Sequence, residues 1–100
     1  LDADLADTTA TARLVERCGE ALGAPPCCLV NNASEFLLDS IDTLTEDLWD
    51  THQTINLKAP VFLAQSMLRH LPPGIEGNIV NIIDQRVWKL TPDFFSYTIS

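Results

Sequence analysis

Positive charge is scarce in this chain. Six Lys and Arg stand against 14 Asp and Glu, giving a net charge of −8 and a pI near 4.3. A groove that tracks nucleic-acid phosphates, or a surface that adheres to anionic membrane, needs the opposite sign. Long apolar runs are missing as well: none approaches the roughly 20 residues that a bilayer-spanning helix requires. The opening Leu1-Asp2-Ala3-Asp4 has neither an initiator Met nor the basic flank of a signal peptide. Cysteine is sparse, and 3 residues cannot all pair within one chain. Few cysteines and no secretion signal point to a reducing, cytoplasmic setting. Cys27-Cys28 is not a C-x-x-C pair, and His52 and His70 have no further ligand at metal spacing, so no metal site is expected. Repeats and low-complexity segments are absent too. What is present is a globular composition, with 46% hydrophobic and 20% charged residues over 100 positions, enough for one domain or part of one.

Helical and strand-like segments alternate. Asp7 suits an N-cap for a helix from about Thr8 to Leu22, in which Ala10, Leu14, Val15, Cys18, Ala21 and Leu22 share one face. Gly23 and Pro25-Pro26 stop it. Cys27-Cys28-Leu29-Val30 is a short apolar run ahead of Asn31-Asn32, which suits a strand buried on both faces of a parallel sheet. A long helix is expected from about Thr45 to Leu71, ending before Pro72-Pro73-Gly74. Asn78 to Ile83 reads as a second central strand, rich in β-branched residues. A loop from Asp84 to Pro92 then leads to a helix beginning near Phe94 or Phe95. This order predicts an α/β fold: a doubly wound parallel sheet with helices on both faces, three layers in all. Ligands in such sheets bind at the carboxyl ends of the strands. Asn31-Asn32-Ala33-Ser34 and Asp84-Gln85-Arg86 stand there. The acidic opening resembles a strand exit, and the chain closes on Tyr97-Thr98-Ile99-Ser100 with no capping signal. Both ends therefore read as interior points of a longer protein.

Four features together resemble the short-chain dehydrogenase/reductase family. They are Asp4-Leu5-Ala6-Asp7 before the first helix; Leu29-Val30-Asn31-Asn32-Ala33-Ser34, similar to the family's Asn-Asn-Ala-Gly motif; Asn56-Leu57 in the long helix; and Asn78-Ile79-Val80-Asn81-Ile82 followed by Ser96-Tyr97-Thr98-Ile99-Ser100, similar to Tyr-x-x-x-Lys cut one residue before its Lys. The resemblance covers essentially the whole chain. It implies the central segment, residues 1–100, of a single Rossmann-like NAD(P)-binding domain, with the glycine-rich phosphate loop upstream and further chain downstream.

The resemblance also implies hydride transfer from NADP, or NAD, to a carbonyl or imine substrate. Tyr97 would be the proton donor, a role a phenol fills when nearby positive charge lowers its pKa. Asp84 stands thirteen positions before Tyr97, where the family usually has Ser. In this it is similar to pteridine reductases and dihydromonapterin reductases. A carboxyl group there can hydrogen-bond the phenol and a substrate nitrogen; it can donate a proton if neutral, and raises the Tyr pKa if ionised. Asn56 lies mid-helix, where Asn is a poor helix former, and Pro60 has no N–H to return to its carbonyl. That carbonyl is free to hold a water, which in the resembled family connects the catalytic Lys to solvent. Asn32 and Ala33 would face the cofactor's adenosine-side ribose, Ser34 replaces the usual Gly, and Asp4 and Leu5 would border the adenine. Arg86, Trp88 and Lys89 read as a substrate-side loop or an oligomer surface. Leu48, Ile55, Ala59, Phe62, Leu63 and Met67 give the long helix more apolar surface than one sheet face needs. With the family's habit of pairing this helix across an interface, that predicts a homo-oligomer, a dimer or tetramer. The alternative is a truncated, non-catalytic Rossmann-like interaction module.

Overall fold

A computed structural model describes residues Leu1–Ser100. Helix α1 spans Thr8–Leu22. Asp7 stands extended before it, and its carboxylate accepts from the Thr9 and Ala10 amides at 2.8 and 3.1 Å. Two of the donors that every helix start leaves unpaired are thereby satisfied. Gly23 ends the helix at φ 74°, a left-handed turn that a side chain would strain. Strand β1, Cys28–Asn31, pairs in parallel with β2, Asn78–Asn81, in the register Cys28↔Asn78 to Asn31↔Asn81. The first strand begins one residue later than its apolar run suggested, because Cys27 only opens the ladder, its carbonyl accepting from the Asn78 amide at 2.8 Å. The second strand ends two residues sooner than expected. Ile82 still donates to the Asn31 carbonyl at 3.0 Å, and the chain then turns away.

The long helix is not uniform. Helix α2, Glu46–His52, is capped by Thr45, whose hydroxyl accepts from the Leu48 amide, and carries Glu46 and Asp47 where the helix dipole favours acids. A π-helical segment, Gln53–Lys58, follows, and helix α3, Ala59–His70, completes the rod. Pro60 explains the change of pitch. Its ring would collide with the Asn56 carbonyl in an α-helix, and it has no amide to offer that carbonyl. The helix widens instead, so that the Ala59 amide reaches back five residues to Thr54.

Val15 of α1 packs against Leu63 and Met67 of α3, with Leu5, Leu14 and Leu29 partly buried around them. Each fully buried side chain of this kind contributes roughly 1.5–3 kcal/mol. This core sits on one side of the strand pair. Within residues 1–100 the other side is open, with Val30, Val80 and Ile82 there 56%, 38% and 60% exposed. Among the helices of this chain, α1 packs on α3 and α3 on β1. The apolar runs are those of a doubly covered sheet, but only one helical layer comes from these residues. The arrangement is α/β and forms part of a Rossmann-type sheet.

After β2, Asp84 caps a single 3₁₀ turn, Gln85–Val87, by accepting from the Arg86 amide at 2.8 Å. Helix α4, Phe95–Ile99, is short, and Phe94 enters it at φ 59°. No helix is long and apolar enough to cross a membrane.

Candidate active site

A cleft of about 560 Å³ opens at the carboxyl ends of β1 and β2, between the strand pair and the π segment with the start of α3. Asn31-Asn32-Ala33-Ser34, Asn56, Asp84, Arg86 and Tyr97 all line it. Residues up to 66 positions apart in sequence thus meet because both parallel strands deliver their carboxyl ends to one edge. Asn31 and Asn81 are register partners there, and the Asn31 side-chain Nδ2 donates to Asn81 Oδ1 at 2.8 Å. Asn32, Ala33 and Ser34 are exposed to the cleft and stand open to a ligand.

Tyr97 comes from α4, Asp84 from the end of β2. The Tyr97 hydroxyl donates to the Asp84 carboxylate at 3.1 Å. Burial is the main influence raising the Tyr97 pKa, and the Asp84 hydrogen bond and charge raise it further; the Arg86 charge and the Ser34 hydroxyl act the other way. Asp84 moves down, chiefly because the Arg86 amide donates to it, with help from the Tyr97 hydroxyl and the Arg86 guanidinium 3.7 Å away. Asp84 is therefore a carboxylate near neutral pH, its surroundings favouring the ionised form over the neutral acid. The same electrostatics keep the phenol protonated.

Asn56 does more than a mid-helix Asn requires. Its oxygen accepts from the Glu35 amide at 2.8 Å, and its nitrogen donates to the Glu35 carbonyl at 3.0 Å and to Ser100 Oγ at 2.9 Å. The loop after β1 and the end of α4 are both tied to the π segment through this one side chain. Asp4 and Leu5 are not brought to the cleft. Asp4 closes a local turn by accepting from the Ala6 amide, and Leu5 packs against the Val15 core.

Arg86 is a cleft residue, whereas Trp88 is 88% exposed. Phe36 and Phe94 stack with their centroids 4.2 Å apart, and Tyr97 meets Phe36 edge-on at 4.7 Å. The Arg86 guanidinium carbon lies 5.0 and 4.7 Å from the two stacked centroids. Those three distances make a nearly equilateral triangle, so the cation sits beside the ring pair rather than on an outer face. The sequence carried little sign of this group, because Phe36 and Phe94 belong to irregular segments with no periodicity to read. His52 is a buried hydrogen-bonding residue behind Tyr97, a role its position in the sequence does not signal.

The chain resembles known proteins along its whole length. The short chain dehydrogenase family profile matches residues 1–100. A short chain dehydrogenase of Emericella nidulans, ausX, is 32% identical over 99 residues, covering 98% of this chain and 50% of that protein. The crystal structure of the FolM alternative dihydrofolate reductase 1 from Brucella suis, in complex with NADP, superposes with a TM-score of 0.94 at 47% identity, covering 100% of this chain and 41% of that one. A short chain dehydrogenase from Burkholderia cenocepacia, also in complex with NADP, gives a TM-score of 0.86 at 33% identity, with 99% of this chain and 40% of that one covered. The chain thus spans half or less of the length of these relatives. From its first residue to its last, it belongs to the short-chain dehydrogenase family.

Proposed function

We propose that the full-length protein is a cytoplasmic, NADP(H)-dependent reductase of carbonyl or imine substrates, a pteridine among them. In this reading residues 1–100 are the central segment of one NAD(P)-binding domain. The observation that carries it is the Tyr97–Asp84 hydrogen bond at the strand-end cleft. The likeness to a NADP-bound alternative dihydrofolate reductase supports both the cofactor and the substrate class. NAD remains the second candidate.

The cleft suits a ribose-bearing cofactor, because Asn32, Ala33 and Ser34 present exposed polar groups along one wall. Asp4 and Leu5 would serve only an adenine end reaching beyond the cleft. When bound, the nicotinamide supplies a hydride to the electrophilic carbon of the substrate. The chain supplies the matching proton. Tyr97 gives it from its hydroxyl to the substrate oxygen or nitrogen, and Asp84 aims that hydroxyl and accepts from a substrate N–H. Asn56 holds the Glu35 loop and the end of α4 in place around them, with its backbone carbonyl on the proton path.

The test uses the full-length protein with dihydropterins and with simple ketones. Tyr97→Phe should lower kcat roughly 10²–10⁴-fold, the usual worth of a general acid, with cofactor binding kept. Asp84→Asn should lose pterin reduction. Asp84→Ser should keep or gain ketone reduction, since it restores the usual family residue. Near-normal turnover by Tyr97→Phe overturns the assignment of the donor. Wild-type pterin reduction by both Asp84 variants overturns the pteridine reading.

A further inference from the structure

Helix α4 has five residues, too few to be stable alone, and its N-cap Phe94 offers no side-chain acceptor. Its anchor comes from elsewhere. The Phe94 amide donates to the Asp39 carbonyl at 2.8 Å, and the Ser96 amide lies 3.2 Å from each Asp39 carboxylate oxygen. The Ser96 hydroxyl donates to the same carboxylate at 2.5 Å. Asp39 therefore caps a helix that begins more than fifty residues later. His52, the last residue of α2, closes the group: its Nδ1 stands 2.6 Å from Ser96 Oγ, and its Nε2 accepts from the Leu37 amide at 3.1 Å. That second bond decides the tautomer. A nitrogen that accepts from an amide carries no proton, so Nδ1 carries it and donates to Ser96 Oγ, which in turn donates to Asp39. Every proton in the series has one direction.

The three side chains are 0%, 0% and 2% exposed for His52, Ser96 and Asp39. Three polar residues in a chain with only 8 buried positions are a large share of its interior. Buried polar groups cost stability unless satisfied, and here they satisfy one another. Their common neighbour is Tyr97, next to Ser96 in sequence and with its ring edge-on to His52 at a centroid distance of 6.0 Å. None of the three lines the cleft.

We propose that His52, Ser96 and Asp39 are positioning residues that fix where the Tyr97 hydroxyl stands. They tie the loop after β1, the end of α2 and the start of α4 into one directed hydrogen-bond series behind the ring. This rests on the reductase reading, in which the place of that hydroxyl sets the rate. A displacement of about 1 Å can cost up to about a hundredfold in rate.

The test measures turnover, cofactor Kd and thermal stability of the full-length protein for Ser96→Ala and Asp39→Asn, each alone and combined with Tyr97→Phe. Ser96→Ala removes one hydroxyl, and Asp39→Asn keeps an acceptor for the Ser96 amide, so each leaves most of the anchor in place. Alone, each should lower kcat about tenfold, within the range that misplacing a reacting group produces, with cofactor Kd within about twofold. Combined with Tyr97→Phe, neither should lower kcat further, because the hydroxyl through which they act is gone. A variant that loses as much in the Tyr97→Phe background as in the wild type, or nothing in either, overturns the proposal. A Tyr97→Phe protein as active as wild type overturns the assignment of Tyr97 as donor, and the positioning role with it.

Discussion

Tyr97 and Asp84 share one hydrogen bond, which adds to a separation of their pKa values set chiefly by burial of the phenol and by the Arg86 amide's bond to the carboxylate. The raised phenol contributes stability as a neutral group, in place below its ordinary pKa and lost as pH rises through its folded value. The lowered carboxylate contributes in the opposite window, above its ordinary pKa, and loses that contribution as pH falls through its folded value. Replacing Asp84 by Asn removes the carboxylate that opposes phenolate formation and leaves the Arg86 charge that favours it. The Tyr97 pKa should therefore fall in Asp84→Asn relative to wild type. A Tyr Cζ NMR titration of the full-length protein, with the resonance identified by its disappearance in Tyr97→Phe, reads this directly. A rise, or no movement, would show that the carboxylate does not face the phenol in solution. The spacing of thirteen positions singled out this pair from the sequence. Its charge state came from the Arg86 amide and the turn that aims it, which no spacing reveals.

Pro60 and Asn56 show how far a local rule carries at the level of an element. A proline four residues after an Asn predicts a lost helical bond, and the bond is indeed forfeited. The widening to an i→i+5 segment is the backbone's response, and the Asn56 side chain then reaches the Glu35 loop and Ser100. Truncating it should be costly. Asn56→Ala leaves the Glu35 amide and carbonyl without partners in a half-buried site, a loss of about 1–3 kcal/mol. The expected result is a lower denaturant midpoint at unchanged m-value. Asn56→Asp keeps the acceptor for the Glu35 amide but loses both donors, so its stability should fall between the two. A midpoint for Asn56→Ala equal to wild type would mean that these three bonds add nothing.

At the scale of the whole chain, residues 1–100 leave much apolar surface open. Leu63 and Met67 are consumed by the core with α1 and Ala59 is buried, whereas Phe62 stays about half exposed; Leu57 and Val61 belong to the cleft. We propose that the helix face carrying Phe62 joins two copies of the full-length protein in a dimer or tetramer. Sedimentation should then give an oligomer at micromolar concentration, and Phe62→Glu should shift it toward monomer, because an unpaired charge is costly to bury. A wild-type monomer would remove the proposal. The sequence by itself determined the order of elements, the cap at Asp7 and the stop at Gly23, the parallel-sheet class, and the strand-end residues that form the cleft. Those are local matters: periodicity, side-chain acceptors within three residues, and residues without a Cβ or an amide. Only the tertiary structure decided which strand face is covered, that Asp4 and Leu5 stand away from the cleft, and that Asp39, His52 and Ser96 meet behind Tyr97. These depend on contacts between residues 44 and 57 positions apart, whose partners are chosen by packing and by the need to satisfy buried polar groups.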